Sequence, residues 1–541
     1  MAEPRSPFQM PRSPLSLETV FPLLLSGIFF LLILSPLLGI GMDLLQAMGR
    51  GTLDFSTPFM PSDRRLGLLV ASISLATAVA ASSILVGTLL VSVLWKTSRA
   101  SLIAVLLILL ALAAIPPYIH ALVWSALMGY LADIFPGIPV SGWGISYWVE
   151  CMALLPVATL LVWIAFASVD PALVEAGRVF RPDIGVFARI LLPLAAPALG
   201  AAFGLLFLLC CSDYSIPSLF GADVYALDIF AQFSMTSSPA QAFLYAIPLM
   251  SVTMIVLFLC RSGIRTLAQT PDWLSARFAT APRFPGPLVV LQYLACGLIA
   301  TQICVLFFGL VLTTGSYAMF INSVLMARGE LIYSLIIAGG VILVSLPLAL
   351  VAAYELKKPG ARGTAAWILV LLPLAVPASL TGIGLATFWH SPAPALVCPG
   401  ILLPVMVGIA RFAPLAAIIL FVQIRFIDPL MFDAADVFSP DPLMRWGEIR
   451  LPLFAPGLAV ATGILAALTL AELGATLVVA PPGHATLTMR IYNYLHYGAA
   501  GEVAGLCLMI TILTLSAGAI TVSALYWLYR KPQDMTGHGG Y

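Results

Sequence analysis

The chain has 541 residues, of which 61% are apolar and only 9% are charged, and its mean hydropathy is +1.05. So little charge cannot cover a soluble protein of this size, so a lipid bilayer must be the solvent for most of it. A formal net charge of +1 excludes a basic face able to neutralise a run of phosphates, and with it nucleic acid as a partner.

In chain order, residues 1–19 are polar and Pro-rich, with Arg5 and Arg12, and read as a cytoplasmic tail. The apolar run from Val20 to Ile40 is longer than a signal-peptide core and no small-residue cleavage site follows it, so it is expected to stay as a spanning helix. Crossing a hydrocarbon core takes roughly 20 helical residues. Runs of that length predict spans at 20–41, 66–95, 101–130, 146–168, 194–215, 242–260, 287–313, 331–355, 366–389, 399–425, 453–477 and 501–529. Pro116 and Pro117 mark a place where the 101–130 run can break or re-enter. The fold class is therefore all-α, a polytopic membrane protein of about 12 transmembrane helices. The eight cysteines lie mostly inside apolar runs without metal-ligand spacing and read as small core residues.

With the N-terminus inside, 19 of the 25 Lys and Arg fall on cytoplasmic segments; Arg50, Arg64, Arg65, Arg328 and Arg490 fall outside, and Arg411 falls within a span. That bias predicts both termini in the cytoplasm.

The sequence also repeats itself. Pro156, Asp170, Pro171 and Glu175 recur 258 residues later as Pro414, Asp428, Pro429 and Asp433. The Leu-Pro-Leu-x-Ala-Pro of 192–197 recurs at 451–456, and Pro116 corresponds to Pro377. One such match among prolines is chance; a series in register is duplication. The reading is two tandem six-helix units, 20–260 and 287–530, joined by a cytoplasmic linker at 261–286 and followed by a tail at 531–541. Two parallel copies imply a pseudo-two-fold axis along the membrane normal with a pathway between them.

Two matching loops on the inner side are the most informative segments. They read VDPALVEAGRVFRPDIGVFARILLPLAAP from Val169 and IDPLMFDAADVFSPDPLMRWGEIRLPLFAP from Ile427. Each opens with Asp-Pro, in which Asp caps a helix and Pro suits its first turn. Each then carries an acid among small residues and a Pro-Asp pair (Pro182-Asp183, Pro440-Asp441) that ends the helix. A small-residue helix lying on the membrane surface suits close docking against another protein.

These loops resemble those of binding-protein-dependent ABC importer permeases, whose cytoplasmic loop carries Glu-Ala-Ala, a Gly four residues on and a later Leu-Pro. The resemblance runs from about residue 66 to 529 and implies the type I importer permease fold. In that family the loop helix sits in a groove of the ATPase subunit and transmits its closure. Carried over, Asp170, Pro171, Glu175, Ala176 and Gly177 match the first copy, and Asp428, Pro429, Asp433, Ala434 and Ala435 the second. The family's later Gly falls on Arg181 and Ser439, so Pro182 and Pro440 take over the ending of the helix. The nearer likeness is to fused permeases of the ferric-iron type, a group with thiamine, polyamine and phosphonate relatives. It rests on Arg411-Phe412-Ala413-Pro414, the 471–476 run with Pro481-Pro482-Gly483 after it, Arg490-Ile491-Tyr492, and Asp213, Tyr214, Pro217 and Gly221. The resemblance implies a separate ATPase dimer on the cytoplasmic face, a periplasmic or extracellular solute-binding protein, a bacterial inner-membrane location, and ferric iron as the first substrate to consider.

Three charges are placed in the bilayer. Arg411 precedes Arg425 by 14 residues, about 21 Å along a regular helix, and at that depth it is expected to face the pathway or a buried partner. Asp213 and Glu472 each follow the Leu-Pro proline by 20 residues. They read as a quasi-symmetric acidic pair near the outer mouth, either meeting a cation or simply solvated. A lone His120 reads as a structural residue. No Gly-x-x-x-x-Gly-Lys loop, zinc pair or nucleophile elbow is present, so no catalysis, metal or cofactor is expected on this chain. The competing reading is a secondary transporter of twelve spans driven by an ion gradient.

Overall fold

The computed structural model describes residues 17–53, 62–267, 282–391, 400–438, 441, 444–497 and 500–535. Residues 1–16 and 536–541 of the expected tails, 268–281 of the linker, and Ser439 and Pro440 lie outside them. The described residues are all-α, as a bilayer demands of a chain whose backbone must satisfy its own hydrogen bonds.

The first half runs α1 (Leu17–Arg50), α2 (Asp63–Leu94), α3 (Arg99–Ala113), α4 (Pro117–Ile134), α5 (Trp143–Ala167), α6 (Pro171–Phe180), α7 (Asp183–Ser212), α8 (Ser215–Leu219), α9 (Tyr225–Thr236) and α10 (Pro239–Leu267). The second runs α11 (Gly286–Thr314), α12 (Tyr317–Met326), α13 (Arg328–Lys357), α14 (Gly360–Leu371), α15 (Ala378–Trp389), α16 (Leu403–Phe426), α17 (Pro429–Phe438), α18 (Arg445–Ala471), α19 (Thr476–Val479), α20 (Leu487–Tyr497) and α21 (Ala500–Met535). Among the described residues, 10 helices are long and apolar enough to cross a membrane, or up to 12 if each of two bent pairs is one span.

Those bent pairs correct the span list. The 101–130 run divides into α3 and α4 at 91°, at the Pro116-Pro117 step. The 366–389 run, expected as one span, also divides, with 107° between the stretch Gly360–Ala375 and α15. The reason is local: Val376 precedes Pro377 and is driven to an extended backbone, with ψ at 126°, because the proline ring crowds a helical predecessor. Boundaries shift too. α1 continues to Arg50, beyond the expected end at 41, and α18 stops at Ala471, where Glu472 turns extended.

Each half has a central trio of mutually packed helices, α2–α5–α7 and α13–α16–α18. Helix α1 packs on α15, α13 and α16 of the other half as well as on α10 of its own, and α11 likewise packs on α4, α2 and α5 as well as on α21. At the α1–α15 crossing, a Cβ on Gly39 would overlap the Gly384 carbonyl oxygen, and one on Gly384 would overlap the Pro36 carbonyl oxygen. Only glycine permits that approach, the usual way for helices to associate closely in lipid. Asp43 of α1 also accepts a 2.8 Å hydrogen bond from the Ala240 N–H, fixing the start of α10.

Matching contacts recur at fixed spacing. The Ser72 hydroxyl accepts from the Tyr225 N–H and the Ser334 hydroxyl from the Leu487 N–H, both at 2.9 Å and both across 153 residues. Nearby, Arg64 pairs with Asp228 at 2.9 Å, and Arg490 with Glu330 at 2.5 Å. The cation stands on α2 in one pair and on α20 in the other.

Candidate functional site

The two loops fold as their sequence suggests. Asp170 Oδ1 accepts from the Ala172 N–H and Asp428 Oδ1 from the Leu430 N–H, each at 2.9 Å, so both short helices start on a capped Asp-Pro step. Helix α6 ends at Phe180, just before the Pro182-Asp183 pair; the matching Pro440 lies outside the described residues. Val174 is buried below α6, and Gly177 lies against Ile190. Ala435 anchors α17 in the same manner. Pro171, Ala176, Pro429, Asp433 and Ala434 are exposed, and Glu175 is half-buried. Each helix ends on a bare Val-Phe pair: Phe180 is 87% exposed and Phe438 84%. With Leu173, Leu430 and Met431 also exposed, both helices present apolar side chains that no other described residue covers.

Ion pairs hold each helix to the chain that follows it. Arg178 contacts Asp183 at 2.8 Å and Glu175 at 3.2 Å. In the other loop Asp436 takes Arg445 at 2.7 Å and Arg450 at 2.9 Å. Burial alone would lower Arg178, but the acids Asp183 and Glu175 hold its guanidinium above the ordinary value. Burial alone would raise Asp436, but Arg445 and Arg450 hold its carboxyl below 3.8. Behind each helix the chain winds as a π turn, at Phe187–Leu191 and Arg445–Arg450, before entering its span. Such turns often mark functional positions. Nothing in the sequence pattern announces them, whereas the Glu175–Arg178 spacing of three was open to inspection.

The buried charges sit at the seam between the halves. Arg411 forms an ion pair with Glu472, whose Oε1 also accepts from the Ala475 N–H at 2.8 Å. Asp213 occupies the matching place after α7, where its carboxylate accepts from the Ser215 N–H and hydroxyl at 3.0 and 2.6 Å. The two acids thus share a capping task at the ends of α7 and α18, and Glu472 is buried in an ion pair rather than solvated. Glu150, from α5, is buried facing Asp213. His120 is fully buried, its Nδ1 within 2.5 Å of Gln302 Nε2, and Gln302 Oε1 accepts from the Trp124 indole at 2.9 Å. His120 therefore ties α4 to α11. Tyr214 carries the first half across the seam: its hydroxyl comes within 3.5 Å of where a Cβ on Gly474 would stand. Among the described residues no group of three His, Cys, Asp or Glu is placed to hold a metal ion.

An all-helical bundle of 10 to 12 candidate spans, with charges buried at an internal seam, defines a polytopic membrane protein. Sequence comparison narrows the class. The chain is 28% identical over 186 residues, 33% of its length and 68% of the relative's, to a Salmonella choleraesuis protein described as the 2-aminoethylphosphonate transport system permease PhnV. The Salmonella typhimurium protein of the same description is 29% identical over 170 residues, 30% of this chain and 62% of that one. The chain thus spans 62% to 68% of the length of the curated relatives it matches. No family model matches. This similarity supports, at a coarse level, a non-enzymatic permease subunit of an ABC transport system in the inner membrane.

Proposed function

We propose that the chain is the membrane permease of an ATP-driven importer in which two permease units, 20–260 and 287–530, are fused and share one pathway. The observation that carries this reading is the pair of loop helices, α6 and α17, each started by an Asp-Pro cap and each ending in an exposed Val-Phe pair. Apolar side chains held rigidly at the end of a bundle suit the groove of a partner. That partner is a separate ATPase, docked on the cytoplasmic face through Asp170–Gly177 and Asp428–Ala435, while a solute-binding protein delivers substrate on the other face. The resemblance read from the sequence leads to ferric iron as cargo; the relatives are described as permeases of a 2-aminoethylphosphonate system, and we take a small phosphonate as the substrate class.

The test is assembly. The chain is co-expressed with candidate ATPase and solute-binding proteins from the same genome, and substrate-stimulated ATP hydrolysis is measured in proteoliposomes. Deleting 171–180 and 429–438 is expected to abolish ATPase retention while the chain still inserts. Uptake by the purified chain alone, driven by an ion gradient, would replace this reading with a secondary transporter.

A further inference from the structure

The chain just ahead of α11 holds the first loop from within. Pro282 is buried and Phe284 half-buried, in a cleft walled by Trp95, Val174, Phe187 and Leu191. The Phe284 ring meets that of Phe187 edge to face at 6.1 Å, and the Lys96 ammonium lies 5.3 Å from its centre. Between the two apolar residues, the Arg283 N–H donates to Asp183 Oδ2 at 2.5 Å. Residues 282–285 thus form a strap behind α6.

That strap reads Pro282-Arg283-Phe284-Pro285, and its pattern recurs. Pro-Arg occurs three times in the chain, and each time a second Pro stands two residues after the Arg. The other two are Pro4-Arg5-Ser6-Pro7 and Pro11-Arg12-Ser13-Pro14, both shortly before α1. Proline drives its predecessor to an extended backbone, so this pattern favours a stiff segment with the Arg N–H free to donate outward. Helices α1 and α11 are themselves counterparts. Each brings a glycine against a bent-pair helix: Gly39 meets Gly384, and a Cβ on Gly309 would stand 3.2 Å from the Val123 Cβ. Gly39 and Gly309 are 270 residues apart, and Pro11 and Pro282 are 271 apart.

The second loop complements such a strap. Trp446 stands five residues before Leu451-Pro452, as Phe187 stands before Leu192-Pro193, and Trp446 is 42% exposed. The small Ser13 replaces Phe284 where the larger Trp446 replaces Phe187, so bulk moves from strap to loop. Asp441 holds the place of Asp183. From Asp428 to Arg450 the loop carries five acids against two arginines, and the tail brings Arg5 and Arg12. Helix α1 also enters the second unit early: Leu25 and Phe29 pack in the cluster that holds Ile427 and Phe454.

We infer that residues 11–14 dock behind α17, against Trp446 and Asp441, as residues 282–285 dock behind α6. Each unit then grips the other's loop by the chain ahead of its first helix. This goes beyond the permease reading and draws only on the repeat.

Hydrogen exchange of the full chain in lipid nanodiscs tests it. Arg12→Pro removes the N–H while keeping an extended backbone, and Arg12→Lys keeps both N–H and charge. Losing that bond should speed exchange over 429–450 about fivefold, with 171–191 unchanged and Arg12→Lys like the parent. Arg283→Pro should do the reverse. A photo-crosslinking residue at position 13 should map to 441–450, and one at 284 to 183–191. Unchanged exchange in Arg12→Pro, or crosslinks from position 13 only to lipid, to the first loop or to a second copy of the chain, would each overturn the inference. No ATPase is present in this experiment, so its failure leaves the permease reading standing, whereas failed ATPase assembly overturns that reading and leaves the straps.

Discussion

Arg178 on α6 and Asp436 on α17 stand 258 residues apart, at the same register of the two loop helices, and carry opposite charge. Each is the hub of its own network. Arg178 gathers two acids, Glu175 and Asp183, whereas Asp436 gathers two arginines, Arg445 and Arg450. The second loop has the latch of the first with its sign inverted. The same inversion separates Arg64–Asp228 from Glu330–Arg490 at the far end of the spans. Each loop helix is thereby matched to its own following segment and mismatched to the other's.

The first prediction concerns that latch. Arg178→Asp would place three acids around one point, and hydrogen exchange over 171–191 should accelerate sharply. Arg178→Ala should cost about 1–2 kcal/mol of local stability, since the side chain is only 15% exposed. Exchange unchanged in both variants would mean the network does not hold α6.

The second loop should respond to acid. The Asp436 carboxyl is held below its ordinary value, so its contribution is complete above the unfolded value of about 3.9. It is lost as the pH falls through the lower folded value. The side chain is 42% exposed, which limits the effect to about 0.5 kcal/mol. Protection of 429–438 should therefore fall below about pH 4, and Asp436→Asn should remove that pH dependence.

Capping is the third expectation. Asp170→Ala and Asp428→Ala each remove a side-chain acceptor from a first-turn N–H, at a cost of about 1 kcal/mol. Coupled ATP hydrolysis should drop in both variants while membrane insertion persists. Asparagine at either position should restore most of it.

Those caps were legible because Asp-Pro before a short amphipathic run is a local signal. So was the span count, since hydropathy reports solvent directly. Contacts between distant segments were not legible. Depth arithmetic set Arg411 and Glu472 at separate heights, and no property of either sequence stretch reports which way around a helix a side chain points. The break before α15 was missed for a related reason. A proline within an apolar run either kinks a helix or ends it, and the outcome depends on whether neighbours satisfy the freed backbone. Packing of α1 on the second half, set by Gly39 and Gly384, likewise leaves no trace in periodicity.

That crossing supplies the fourth prediction. Gly384→Ala puts a methyl group into the Pro36 carbonyl oxygen, and backbone cannot yield as a flexible side chain does. The cost should be about 1–3 kcal/mol, read as earlier thermal unfolding in detergent. Gly27→Ala on the same helix has nothing within 4 Å and should leave unfolding unchanged. Equal behaviour of the two variants would show that α1 does not pack on α15.

The last prediction separates the worth of the seam ion pair from the penalty of breaking it. Arg411→Gln leaves the buried Glu472 carboxylate, which accepts from the Ala475 N–H, without a cationic partner among the described residues, and an uncompensated buried charge costs about 3–5 kcal/mol. The double variant Arg411→Leu with Glu472→Leu removes both desolvation penalties along with the attraction, so it should be more stable than Arg411→Gln despite carrying one more substitution. If the pair serves only to hold the seam, the double variant should also transport. If Arg411 also faces the transported solute, the double variant should fold, assemble and hydrolyse ATP without moving substrate. Thermal unfolding and uptake measured on the same preparations distinguish the two, and a double variant less stable than Arg411→Gln would contradict the electrostatic account altogether.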